Sequence, residues 1–235
     1  MPTKRILVLA NSYKRHARCV AGMEVGAEML GPAAWLRPVS GESHGELEPR
    51  HMWMNVVGPL VPLEIVDVPL IRHAGDELHP EDWVVDTTRK WGRIGKLSAR
   101  RLEPLEEHPR HLWLESTEHT ERVTGDFLAK QVSLHSLFLI RVQEFRVELS
   151  HELSTHTNQG KQKTRARFRY RGQEYLMSLT DPAFIARHCF KYPGLGALPA
   201  IIRPPYGDRC LLCVSLTPEF FGYHYKVVAT VLELP

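Results

Sequence analysis

The chain has 235 residues, 43% of them apolar, with 30 lysines and arginines against 27 aspartates and glutamates, for a formal net charge of +3. That balance excludes a disordered tail, a collagen-like chain and a bundle of membrane helices, and no stretch approaches the roughly 18 apolar residues of a membrane span. The length suits one large domain or two small ones.

Strands dominate the expected elements. Residues 5–10 (Arg-Ile-Leu-Val-Leu-Ala) read as a short buried strand followed by a basic loop through Gly22. The apolar run is too short for a signal peptide, so the expected location is the cytoplasm. Residues 35–40 form a second strand, with Pro38 marking an edge or bulge, and the alternation in 61–71 a third. The polar segment 79–101, with Pro80 at a first-turn position, is read as holding a helical turn or two. Residues 103–110 hold two prolines and three acids and read as an exposed connector. Residues 111–114 are a last short strand or a docking segment.

The second half opens with a long strand over 137–149. A hairpin follows, with strands at 161–171 and 174–180 turning at Arg171-Gly172-Gln173. Asp181-Pro182 opens a short helix through His188, and strands at 210–216 and 225–232 close the chain. This is the inventory of a small five-stranded barrel.

Four cysteines are too few for a disulfide scaffold. Cys210 and Cys213 form a CxxC, but within a strand their side chains point to opposite faces, so they read as buried thiols rather than zinc ligands. The thirteen histidines match no HExxH or deaminase spacing, and P-loop, GxSxG and GxGxxG signatures are missing. His151, Glu152 and His156 resemble a metal site only in passing, since the histidines are five apart. Cys19, beside Arg18 and near Lys14 and Arg15, is either an activated thiol or an ordinary buried cysteine. No catalytic residue, metal or cofactor is assigned.

The net charge hides a segregation. Residues 4–18, 89–101 and 161–171 hold 17 of the 30 basic residues and no acid. In the third window every odd position is basic, from Lys161 through Lys163, Arg165, Arg167 and Arg169 to Arg171. On a strand these would form one cationic face, with Phe168 and Tyr170 on the other. Such a ladder fits a polyanion; the competing reading is a solvated edge strand guarded against aggregation.

The opening Arg-Ile-Leu-Val-Leu-Ala-Asn-Ser-Tyr-Lys (residues 5–14), Arg-Cys-Val-Ala-Gly (18–22) and Trp-Leu-Arg-Pro-Val-Ser (35–40) resemble the start of the bacterial dual OB-containing domain family, and residues 175–182 and 225–231 resemble its second half. The resemblance implies two small OB-like barrels in tandem with short helical inserts, mainly β. Residues 1–115 would form the first, with a polar, helical insert, and 116–235 the second, carrying the basic hairpin. It also implies binding of nucleic acid or a nucleotide, and a sensor or adaptor role with partner proteins of a prokaryotic defence system.

OB barrels hold single strands with a positive groove and aromatic platforms. The candidate cations are Lys14, Arg15, Arg18, Arg37, Lys163, Arg165, Arg167 and Arg169, and the candidate platforms Tyr13 and Trp91. Trp35 and Tyr170 are assigned to the core, and Arg37 is equally readable as a structural arginine. Single-stranded nucleic acid is the foremost reading. One alternative is an enzyme acting on nucleotides or nucleic acid, with a phosphate pocket built from the 11–22 loop, Arg18 and Arg37. The other is an adaptor whose basic faces meet an acidic protein.

Overall fold

The structure is a computed structural model that describes all residues except 15–16, 27–33, 43–44, 53, 55–57, 132–133, 154–159, 190–199 and 235. For strand residues 14, 152–153 and 160–161 it describes the backbone alone. The first sheet is built from β1 (Thr3–Lys14), β2 (Ala17–Glu24), β3 (Trp35–Val39), β4 (Glu64–His73), β5 (Asp82–Val85) and β6 (Gly92–Lys96). Its order runs β1-β2-β3-β5-β4, and β4 pairs back onto β1 from Thr3 opposite Pro69 to Leu7 opposite Ile65, closing a five-stranded barrel. The β3–β5 pair is parallel, and β6 extends the sheet beyond β4.

The second half supplies β7 (Arg122–Thr124), α1 (Gly125–Leu128), β8 (Leu137–Arg141), β9 (Gln143–Leu153), β10 (Gly160–Tyr170), β11 (Gln173–Leu179), α2 (Pro182–His188), β12 (Ala200–Ile202), β13 (Cys210–Leu216) and β14 (Tyr223–Glu233). Its strands run β9-β10-β11-β14-β13-β8, with β11 and β14 parallel. β8 and β9 are consecutive in the chain, separated by Val142, with Glu144 at φ 54° just past the junction. Counted as one bent strand, they close the circuit, and the second barrel repeats the order of the first. The single long strand expected over 137–149 is thus broken, because its two arms pair on opposite sides of the barrel.

Each barrel fills its own interior. Ile6, Val8, Val20, Leu36, Val66, Val68 and Trp91 belong to the first core, and Val147, Phe168, Tyr175, Met177, Leu212 and Val214 to the second. A third cluster lies between them, where Leu7 and Leu9 of β1 meet Leu139 of β8 and Leu211 and Cys213 of β13. β1 over residues 6–10 and β13 over residues 210–214 are therefore buried on both faces, so these stretches are unbroken apolar runs rather than alternating ones. Cys210 and Cys213 fall on opposite faces as expected; burial pushes the Cys210 thiol up to about 12 and the Cys213 thiol higher still.

Three local expectations are corrected. The basic loop through Gly22 is the end of a β1–β2 hairpin, extended past the apolar run because polar residues there find partners: buried Asn11 donates from Nδ2 to the Leu60 carbonyl at 2.5 Å. The helical turn expected within 79–101 comes at its end, as one 3-10 turn at Ala99–Arg101, and the segment around Pro80 is not helical. Asp76 Oδ1 accepts from the Leu78 and His79 amides in a turn, and residues 82–85 then complete the barrel between β3 and β4, so pairing overrides the local signal. The connector at 103–110 is docked rather than exposed throughout. Leu105 is buried, and Glu107 Oε2 accepts from Trp35 Nε1 at 3.0 Å and from the Leu139 amide at 2.8 Å, stapling one barrel to the other. Residues 111–114 dock Leu112 and Trp113 into the second core.

The basic hairpin forms as expected, its two-residue turn at Arg171 (φ 47°) and Gly172 (φ 82°) having the left-handed geometry that suits strand twist. Asp181 caps α2 by accepting from the Phe184 amide at 2.9 Å. Among the described residues no helix is long and apolar enough to cross a membrane.

Candidate nucleic-acid interface

Where the barrels meet, packing leaves a cavity of about 220 Å³ walled by β1–β3 on one side and by β8, β13 and β14 on the other. Arg37 and Asp82 form its charged part. Arg37 Nε donates to Asp82 Oδ1 at 2.6 Å, its Nη2 lies 3.4 Å from Glu81 Oε1, and Ser136 of the second barrel donates to Glu81. Burial opposes the Arg37 charge, yet Asp82 and Glu81 together outweigh it and hold the guanidinium above its ordinary pKa. Burial pushes the Asp82 carboxyl up to about 6 against the pull of Arg37. Nearby, burial and then Arg37 drive His79 down to about 3, so it is neutral.

The mouth of the cavity is aromatic and basic. Tyr13 is 50% exposed, its ring 4.1 Å from the Arg18 guanidinium, which lies over it. The two residues face each other across β1 and β2, and the Tyr13 amide donates to the Thr180 carbonyl at 3.3 Å, fixing this tip against the second barrel. Beyond Tyr13 a second hollow is lined by Gln162 at the start of β10 and by Pro182 and Ile185 of α2. Ala10, Ser12 and Tyr13 of the first basic window and Gln162 of the third line these hollows; among the described residues none of the lysines or arginines of the three windows lines either. At the other side the cavity adjoins a groove bordered by Arg72, Asp76, Phe220 and Tyr225, sharing Val39, Asp82 and Thr217 with it.

The ladder on β10 is met by carboxylates of the protein itself. Arg167 donates to Glu148 and, at 2.6 Å, to Glu174; Arg169 lies 3.3 Å from Glu144. The register places Arg165 opposite Glu148 and Arg169 opposite Glu174, opposite charges on one face. Lys163 is exposed and Arg165 half-buried. The complementary signal was present on β9, where Glu144 and Glu148 supply the carboxylates that meet Arg169 and Arg167.

Trp91, expected as a platform, is fully buried in the first core. Trp91 sits just before β6 in an isolated parallel bridge with Met54 and packs into the first core between basic neighbours Lys90 and Arg93, so tertiary packing, not local polarity, decides its direction. Of Lys14 only the backbone is described, and Arg15 lies outside the described residues. Two aromatic side chains were missed by sequence reasoning. Phe220 and Phe221, at 48% and 73% exposure, stand at the tip of the β13–β14 turn, where Phe221 and Gly222 both take positive φ. Two adjacent phenylalanines before a glycine, between strands, were the available sign.

The family model for the dual OB-containing domain matches residues 4–231. The chain belongs to the dual OB-containing domain family. No curated protein and no solved structure matches it. OB barrels bind oligonucleotides through the face of their second and third strands and the loops after the first and fourth, so membership in the DuOB family points in general to nucleic-acid or oligonucleotide binding. In this DuOB chain Tyr13 and Arg18 face each other on β1 and β2 near the ends that the first such loop of barrel one joins, and the later loop of barrel two carries Phe220 and Phe221.

Proposed function

We propose that this DuOB protein is a binding module that holds single-stranded nucleic acid along the cleft between its barrels. The observation that supports it best is the half-exposed Tyr13 ring under the Arg18 guanidinium, at the mouth of a cavity that joins both barrels. A strand needs cations for its phosphates and flat faces for its bases; Arg18 supplies the first, Tyr13, Phe220 and Phe221 the second. Arg37 is not the anchor of a phosphate pocket, since Glu81 and Asp82 already neutralise it. This observation weighs against an enzyme built on such a pocket. Binding without turnover suits a sensor or adaptor in a prokaryotic defence system, acting in the cytoplasm.

Fluorescence anisotropy with a labelled oligonucleotide tests the reading. Affinity should fall steeply with salt, and Tyr13→Ala/Arg18→Glu should weaken binding at least about tenfold, one stacked base and one phosphate contact being lost, with the melting temperature unchanged. A folded double variant that binds as tightly as the parent at low salt would refute the assignment.

A further inference from the structure

The cavity between the barrels suits a different part of a ligand than its mouth does. Its walls are largely aliphatic, with Val20, Leu137, Leu216 and Val227 among them. At about 220 Å³ it is smaller than the roughly 300–1,000 Å³ typical of sites for whole drug-sized ligands. A single ring system enters; a nucleotide with its phosphates does not. The charged floor has no positive surplus, because one guanidinium faces two carboxylates, so an anion gains nothing there. What the floor offers is an acceptor. Asp82 Oδ1 takes the Arg37 hydrogen bond, and among the described residues no donor reaches Oδ2, although the carboxyl lines the cavity.

An aliphatic slot with a carboxylate acceptor at its floor and a stacked Tyr13–Arg18 pair at its mouth matches a heteroaromatic ring that presents an amine. We infer that the inter-barrel cavity takes one amino-bearing nucleobase, unstacked from the bound strand, with its exocyclic amine donating to Asp82. This deepens the strand-binding reading and rests on it. Carboxylates accept from base amines in the same way when they read cytosine, and unstacking costs least in a strand that is already single. Uracil and thymine carry the O4 carbonyl where cytosine carries its exocyclic amine, so in the same pose they set an oxygen against the carboxylate and are disfavoured.

Cys19 makes the test site-specific, because it lines the cavity whereas Cys189, Cys210 and Cys213 are buried with thiols raised by burial. Iodoacetamide labelling at neutral pH, resolved per cysteine by mass spectrometry, is run on the full chain with oligo-dC and oligo-dT at equal saturation. The expected result is that oligo-dC slows Cys19 labelling about five- to tenfold more than oligo-dT does, the fold-change that a good base contact supplies. Asp82→Asn, which turns acceptor into donor, should reverse the preference. Saturating oligonucleotides that leave Cys19 labelling unchanged, or protect it equally, would overturn the inference while leaving strand binding intact. If neither oligonucleotide binds, the strand reading itself fails, and free cytidine against uridine decides the cavity: selective protection by cytidine upholds its base preference, and none removes it. Should Asp82→Asn fail to fold, the comparison on the unaltered protein still decides.

Discussion

Asp82 lies directly opposite Arg37 in the parallel β3–β5 pairing and accepts its Nε hydrogen bond at 2.6 Å. Backbone register and side-chain charge thus specify the same alignment. Because Glu81 and Asp82 are both largely buried, removing the guanidinium leaves two uncompensated carboxylates. Arg37→Met should lower unfolding stability by about 3–5 kcal/mol, read in urea. A loss under about 1 kcal/mol would show that water, not Arg37, solvates the acids.

Lys226 is 1% exposed, and among the described residues its Nζ has no hydrogen-bond partner. Burial lowers its pKa from 10.5 to about 8, with Glu121 and Glu115 opposing. The unfolded chain therefore binds more protons than the fold between pH 8 and 10.5, so this lysine destabilises the fold below pH 8 and the penalty is relieved as pH rises through that window. Lys226→Met should be more stable at pH 7 by on the order of 3 kcal/mol, an advantage that vanishes near pH 10.5. Equal denaturation midpoints for variant and parent at pH 7 would contradict it.

Arg167 is held between Glu148 and Glu174 on the sheet face. Arg167→Ala should cost roughly 1–2 kcal/mol, as a bidentate, half-buried arginine network does, and Arg167→Glu more, since three carboxylates then share one face. Reduced oligonucleotide binding by either variant must therefore be read beside its urea midpoint; a variant with full stability would release Arg167 from this structural role.

The aromatic residues separate by burial. Phe221→Ser should leave stability within about 0.5 kcal/mol while weakening oligonucleotide binding by about 1 kcal/mol or more if a base stacks there. Trp91→Ala, in the core, should instead lose about 3–5 kcal/mol of stability. Calorimetry of the pair distinguishes platform from core without any ligand, and a stable Trp91→Ala would reverse the assignment.

Periodicity and turn chemistry made the barrels legible. The apolar run at Ile6 to Ala10, the Arg171-Gly172 turn and the Asp181-Pro182 cap each declared a local structure that the fold kept. What escaped was anything decided by a distant partner. Pro80 looks like a helix start until β3 supplies a parallel neighbour for Asp82. The lysine and arginine ladder looks bare until β9 brings glutamates across, and Trp91 looks exposed until the first core packs around it. The cavity was invisible for the same reason: its walls come from strands more than a hundred residues apart.

Leu7 and Leu9 on one barrel and Leu139 and Leu211 on the other complete each other's burial. Neither barrel has a wettable exterior on that side, so a gene fragment encoding either alone would present a sticky sheet face and aggregate or capture a surrogate. Loops at the rim can be exchanged freely, but the heritable unit is the pair, and any cleft between its members is inherited with it.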